Sequence, residues 1–105
     1  MFISGGVNVY PAEIENQLLQ HKSLADASVI GAPHDTWGEV GVAYVVPVEG
    51  EDVDPKALDA FLQARLARYK VPKEFIVRDE LPRTAYGKVV KGELVEDWKR
   101  RKNKN

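Results

Sequence analysis

Apolar residues crowd into three stretches, each closed by glycine, proline or a charged residue: ADASVIGAPH at 25–34, VGVAYVVPVEG at 40–50 and EFIVRD at 74–79. Valine-rich runs bounded in this way predict strands. HDTWGE, between the first two, has the length and polarity of a turn, so those two strands are expected to pair antiparallel. Elsewhere the rhythm changes to helical spacing. Ile14 and Leu18 stand four apart behind Pro11, and Glu13 and Glu15 fall where a helix dipole favours negative charge, which predicts a helix over 11–21. Asp54 and Pro55 supply a cap and a first-turn proline for a second helix. Leu58, Phe61, Leu62, Leu66 and Tyr69 share one of its faces, and Val71-Pro72 ends it. Val90, Leu94 and Trp98, at spacing four, mark a third helix.

FISGGVNVYP at 2–11 reads as a short strand broken by a tight Gly5-Gly6 loop, and ELPRTAYGK at 80–88 as a loop. The predicted order is β-α-β-β-α-β-loop-α. That order describes an α+β domain in which helices pack on a small mixed sheet.

The chain has 105 residues, enough for one such domain. Residues 1–98 are expected to form it, followed by a basic, disordered tail over 99–105. Cysteine is absent, which excludes disulfides, thiolate metal sites and a cysteine nucleophile. No apolar run approaches the roughly 18 residues of a membrane-spanning helix, and the first residues lack the basic and apolar segments of a signal peptide. A cytoplasmic location is the resulting expectation. The net charge of −1 sets up no field for nucleic acid, yet it becomes −6 once the five cations at 99, 100, 101, 102 and 104 are set aside. That cluster supports one alternative, a freestanding module that binds RNA or a protein through the tail, although no aromatic residues interleave with the charges.

Little conventional catalytic apparatus is visible. His21 and His34 have no ligand-spaced partner, and His34 beside Asp35 reads as a turn feature. No serine elbow, carboxylate pair or metal set is present. Gly87-Lys88 ends like a phosphate-binding loop, but Pro82 stands where the first glycine belongs and Val89 where a serine or threonine belongs. Lys88 remains a candidate on physical grounds. Gly87 removes bulk and widens the backbone's choice beside it, Pro82 stiffens the loop's entry, and a lysine so placed can deliver positive charge outward.

Taken in order, ISGGVNVYPAEIE, HDTWGEVGVAYVV and YKVPKEFIVRDELPRTAYGKVVK resemble the C-terminal domain of acyl-CoA synthetases. These belong to the adenylate-forming superfamily of luciferases and peptide-synthetase adenylation domains. The Gly5-Gly6 pair looks like the fatty-acyl and aryl CoA ligase branch. The resemblance implies a lid that swings between two poses over a large N-terminal domain. In the first, a carboxylic acid and ATP give acyl-adenylate and pyrophosphate; in the second, CoA displaces AMP. Mg2+ would accompany ATP in the large domain. By its place in PRTAYGK, Lys88 matches the family's adenylation lysine, while Gly5 and Gly6 would face the pantetheine channel, and Trp37 and Tyr69 the CoA nucleotide. Where some relatives carry a phosphate-binding arginine, this chain has Val71, and Lys70 or Lys73 could substitute. The family's hinge residue is not in the chain, so the resemblance implies an excised or truncated domain that is inactive alone.

Overall fold

The computed structural model describes residues 1–103. In chain order it contains β1 (Phe2–Ser4), β2 (Val7–Val9), α1 (Pro11–Leu18), β3 (Leu24–His34), β4 (Gly38–Pro47), α2 (Pro55–Gln63), one 3-10 turn (Arg68–Lys70), β5 (Glu74–Val77) and α3 (Lys91–Lys102). The expected order holds, with the N-terminal strand resolved into a hairpin. β3 and β4 form a long antiparallel ribbon from Leu24↔Pro47 to His34↔Gly38. The other edge of β4 is shared. β1 touches it at Ser4↔Gly38, and β5 runs parallel to it from Val42↔Glu74 to Val45↔Val77, so the sheet is mixed.

β4 reads as an unbroken apolar run because both of its faces are covered. Ala43 and Val45 point with Ala27 and Val29 into a core closed by Ile14 and Leu18 of α1 and Leu58 and Leu62 of α2. Val42 and Tyr44 point with Ile30 and Ala32 into a second core closed by Leu81 and by Leu94 of α3. Phe2 pins the N-terminal hairpin to the first face. A Cβ on Gly31 would lie 2.6 Å from the Phe2 Cβ, so the ring sits where only glycine leaves room.

α1 stops at Leu18, short of the expected His21, and α2 stops at Gln63, well short of Val71. The second difference has a tertiary cause. Ala67 is extended, with ψ 146°, and the chain turns back so that Val71 enters the core and the Lys73 N–H donates to the Gly41 carbonyl at 2.9 Å. A continuous helix would forfeit both contacts, and helix propensity yields to them. At the other end of the chain, residues 99–102 were expected in the disordered tail but form the last turns of α3; residues 104 and 105 lie outside the described residues.

α3 is fastened by a polar contact through the second core. The Tyr44 hydroxyl donates to the Asp97 carboxylate at 2.7 Å, and Arg101 donates to the same oxygen at 2.7 Å. Burial pushes the Tyr44 hydroxyl pKa up, and the Asp97 carboxylate adds to the rise. Burial also opposes ionisation of Asp97, but the hydrogen bonds from Arg101 and Tyr44 and the charges of Arg101 and Arg78 outweigh it. They hold the carboxyl below the usual aspartate value of 3.8. Asp97 thus stabilises the fold above that value, and its contribution is lost as pH falls through the lower folded value. Asp97→Asn is expected to lower the melting temperature at neutral pH and to flatten its fall below about pH 5, where the parent loses the Asp97 contribution as pH drops through 3.8 and then the lower folded value. Identical acid limbs in thermal melts of the two proteins would refute this role.

Candidate functional site

Residues 83–89 form a small hairpin rather than an irregular loop. Arg83 and Val89 face each other in an isolated antiparallel bridge, and the Thr84 N–H donates to the Lys88 carbonyl at 2.8 Å. The Thr84 hydroxyl oxygen accepts the N–H groups of Tyr86 and Lys88 at 3.3 and 3.2 Å. Gly87 closes the turn at φ 83°, a left-handed conformation that glycine adopts freely. Arg83 reaches over the turn to the Gly87 carbonyl and to the Asp26 carboxylate on β3. Lys88 is exposed, and among the described residues its ammonium has neither an ion-pair nor a hydrogen-bond partner. The neighbouring Lys91 differs completely. It donates to Glu15 at 2.8 Å and to the Val29 carbonyl at 3.0 Å, while Glu15 also accepts the Val29 N–H at 2.8 Å. That pair ties α1, the free edge of β3 and the start of α3 together and satisfies the outward-facing N–H and carbonyl of Val29 on that edge.

A second feature lies at the far end of the β3–β4 ribbon. Asp26 to His34 spans roughly 27 Å at about 3.4 Å per residue. There the turn between β1 and β2 docks on the turn between β3 and β4, with the Gly5 N–H donating to the Trp37 carbonyl at 2.8 Å. Beside them opens a groove of about 360 Å³ lined by Gly5, Val7, Trp37, Tyr69, Arg68 and Lys73, among others. Gly5, Trp37 and Tyr69, which the sequence singled out separately, therefore share one site. Gly6 stands beside it but faces open space, and Lys88 is at the other end of the ribbon. Trp37 is 47% exposed and Tyr69 45%, so both side chains reach solvent, and the Lys70 ammonium lies 5.7 Å from the Tyr69 ring centre.

The charged side chains lining the groove, Arg68 and Lys73, are both cationic. The Lys73 ammonium lies 5.9 Å from the Trp37 ring centre. Lys70, the other candidate for the place of Val71, is held by Glu13 at 2.9 Å, and the hydrogen bond it donates to that carboxylate raises its pKa. Arg68 escaped sequence reasoning because the expected long helix gave it no distinct direction; the 3-10 turn sets it at the groove.

The histidines serve turns. His21 Nδ1 accepts the Ser23 N–H at 3.1 Å, and His34 Nδ1 accepts those of Thr36 and Trp37 at 3.1 and 3.3 Å. Among the described residues, the cations of the C-terminal run have acidic neighbours on or near α3: Lys99 with Glu96, Arg100 and Arg101 with Asp97, and Lys102 with Glu74. Among the described residues no group of three His, Asp or Glu could hold a metal ion, and no helix is long and apolar enough to cross a membrane.

The sequence profile of the AMP-binding enzyme C-terminal domain matches residues 13–88. An indoleacetate–CoA ligase of Aromatoleum aromaticum is 52% identical over 94 residues, which cover 90% of this chain and 18% of that protein. A long-chain-fatty-acid–CoA ligase of Bacillus subtilis is 43% identical over 97 residues, covering 92% of this chain and 17% of its own length. Among solved structures, the Mycobacterium tuberculosis fatty acyl CoA synthetase superposes with a TM-score of 0.87 at 42% identity, covering 93% of this chain and 19% of that one. The chain thus spans about a fifth of the length of the relatives it matches.

Proposed function

Because the chain belongs to the AMP-binding enzyme C-terminal domain family, we propose that it is the swinging lid of an ATP-dependent acyl-CoA synthetase. One end of its β3–β4 ribbon serves each half-reaction. In the first, a carboxylate oxygen attacks the α-phosphorus of ATP and the bond to pyrophosphate breaks, leaving acyl-adenylate. In the second, the CoA thiol attacks the acyl carbonyl and AMP departs. ATP with its Mg2+ and the carboxylic acid occupy the large domain, and this chain closes over them.

Lys88 carries the first role. Its ammonium neutralises charge shared between the attacking carboxylate and the α-phosphate as the transition state forms. Phosphoryl transfer asks little covalent work of a protein, so a fixed positive charge is the main contribution a lid can make. The observation that supports this best is a lysine without an internal partner on a hairpin with every turn contact in place. A lysine held by a carboxylate, as Lys91 is, would have to break that pair first.

The groove carries the second role. Gly5 lines a path for the thin pantetheine arm, and Gly6, expected to share that path, faces open space beside the groove. Trp37 and Tyr69 offer partly exposed aromatic rings to the adenine, and Arg68 and Lys73 offer charge to the phosphates. The placement of the two sites at opposite ends of the ribbon supports a rotation between half-reactions.

The test is a fused ligase in which this chain replaces the matching segment of the Aromatoleum relative. Formation of the indoleacetate thioester by the fusion, and by neither piece alone, is the expected outcome. A folded fusion that makes neither adenylate nor thioester would sink the proposal.

A further inference from the structure

We infer that Arg83 is a positioning residue for Lys88, holding the tip of the hairpin against the sheet through Asp26. The inference rests on the reading of Lys88 given above and extends it to residues that touch neither ATP nor acid.

Backbone contacts close the hairpin, and Leu81 and Val89 seat its base on the second core. The Arg83–Val89 bridge, the Thr84 N–H to Lys88 carbonyl bond and the Val90 N–H to Pro82 carbonyl bond all lie within residues 82–90. Arg83 adds a second tie, at the turn beside Lys88. One terminal nitrogen of its guanidinium donates to the Gly87 carbonyl, directly before Lys88, and the other donates to the Asp26 carboxylate. A planar fork with two donors at a fixed angle can bridge these acceptors at once, whereas an ammonium is a single point charge on a flexible stem.

Asp26 is itself held in place. The pairing of β3 with β4 slips between Leu24 and Asp26, an irregularity of the kind that re-aims side chains at strand ends. One Asp26 oxygen accepts the Ala27 N–H at 2.9 Å, and the other receives Arg83. The chain of contacts therefore runs from the β3 backbone through Asp26 and Arg83 to the peptide that carries Lys88. Arg83 is 41% exposed and Asp26 24%, so the pair contributes little to the cores. Its consequence is geometric.

The fused ligase separates the roles. Pyrophosphate release reports adenylation, and transfer from preformed adenylate to CoA reports the second step. Arg83→Ala is expected to lower the adenylation kcat by about 10- to 100-fold, the scale of a roughly 1 Å misplacement of a reacting group. KM for ATP and the CoA step should stay unchanged. Arg83→Lys, which keeps the charge and loses the fork, should fall nearly as far. Added to Lys88→Ala, Arg83→Ala should cost nothing more, because it acts through the missing lysine. Full adenylation by Arg83→Ala, equal losses in both half-reactions, or multiplied losses in the double variant would each overturn the inference. If Lys88→Ala is inactive in adenylation while Arg83→Ala is not, only the role of Arg83 falls. If Lys88→Ala adenylates normally, the reading of Lys88 falls and this inference with it.

Discussion

Lys88→Ala in the fused ligase is expected to slow acyl-adenylate formation by about 100- to 1,000-fold, the usual effect of deleting one preorganised group that stabilises developing charge. Transfer of the acyl group from preformed adenylate to CoA should proceed at the parent rate, because in the proposed second pose the hairpin lies away from the reaction centre. The split is more informative than the size of the loss. A lysine with a merely structural duty would impair both steps, yet Lys88 is exposed and its side chain holds nothing in place among the described residues. The hairpin depends instead on the Lys88 backbone, which alanine retains through its bonds with Thr84. Pyrophosphate release at the parent rate from the alanine variant would refute the assignment.

The parts of the fold legible in the sequence are those whose partners are close along the chain or whose burial is complete. The β3–β4 ribbon was visible because nearly every residue from Val40 to Val45 is buried on one face or the other, so the apolar run is continuous. The cap of α2 was visible because Asp54 accepts the N–H of Lys56, two residues away. The end of α2 was hidden, since Gln63 to Lys70 are good helix formers and the opposing contact, Lys73 with Gly41, comes from a distant strand. The same reason hid the brace on the Lys88 hairpin. Arg83 and Asp26 are 57 residues apart, and Lys91 and Glu15 are 76 apart. Glu15 looked like a charge placed for the helix dipole, and nothing local shows that it also receives a lysine across a strand edge. Gly87-Lys88 alone made Lys88 only a weak candidate, and its place in PRTAYGK gave it a role; that it lacks an acidic partner among the described residues is visible only in the structure.

Gly5→Val should give the opposite kinetic pattern. Gly5 sits at φ 57°, where a side chain costs about 1–2 kcal/mol, and an added Cβ would lie 3.0 Å from Cε3 of Trp37. The indole must give way toward the groove that it lines. Transfer to CoA is expected to drop by about 10- to 100-fold, since displacing a positioning surface by roughly 1 Å has effects of that order. KM for CoA should rise with it, and adenylation should be spared. Backbone strain alone could blur this result, and Gly6 separates the two causes. It has φ 81° and nothing within 4 Å of an added Cβ, so Gly6→Val imposes comparable strain without moving Trp37. Equal damage from the two variants would mean that strain in the turn is responsible. Damage confined to Gly5→Val would mean that the space beside Trp37 is what CoA requires. A Gly5→Val enzyme that transfers to CoA at the parent rate would remove the groove from the mechanism while leaving Lys88 untouched, because the two sites lie at opposite ends of the ribbon.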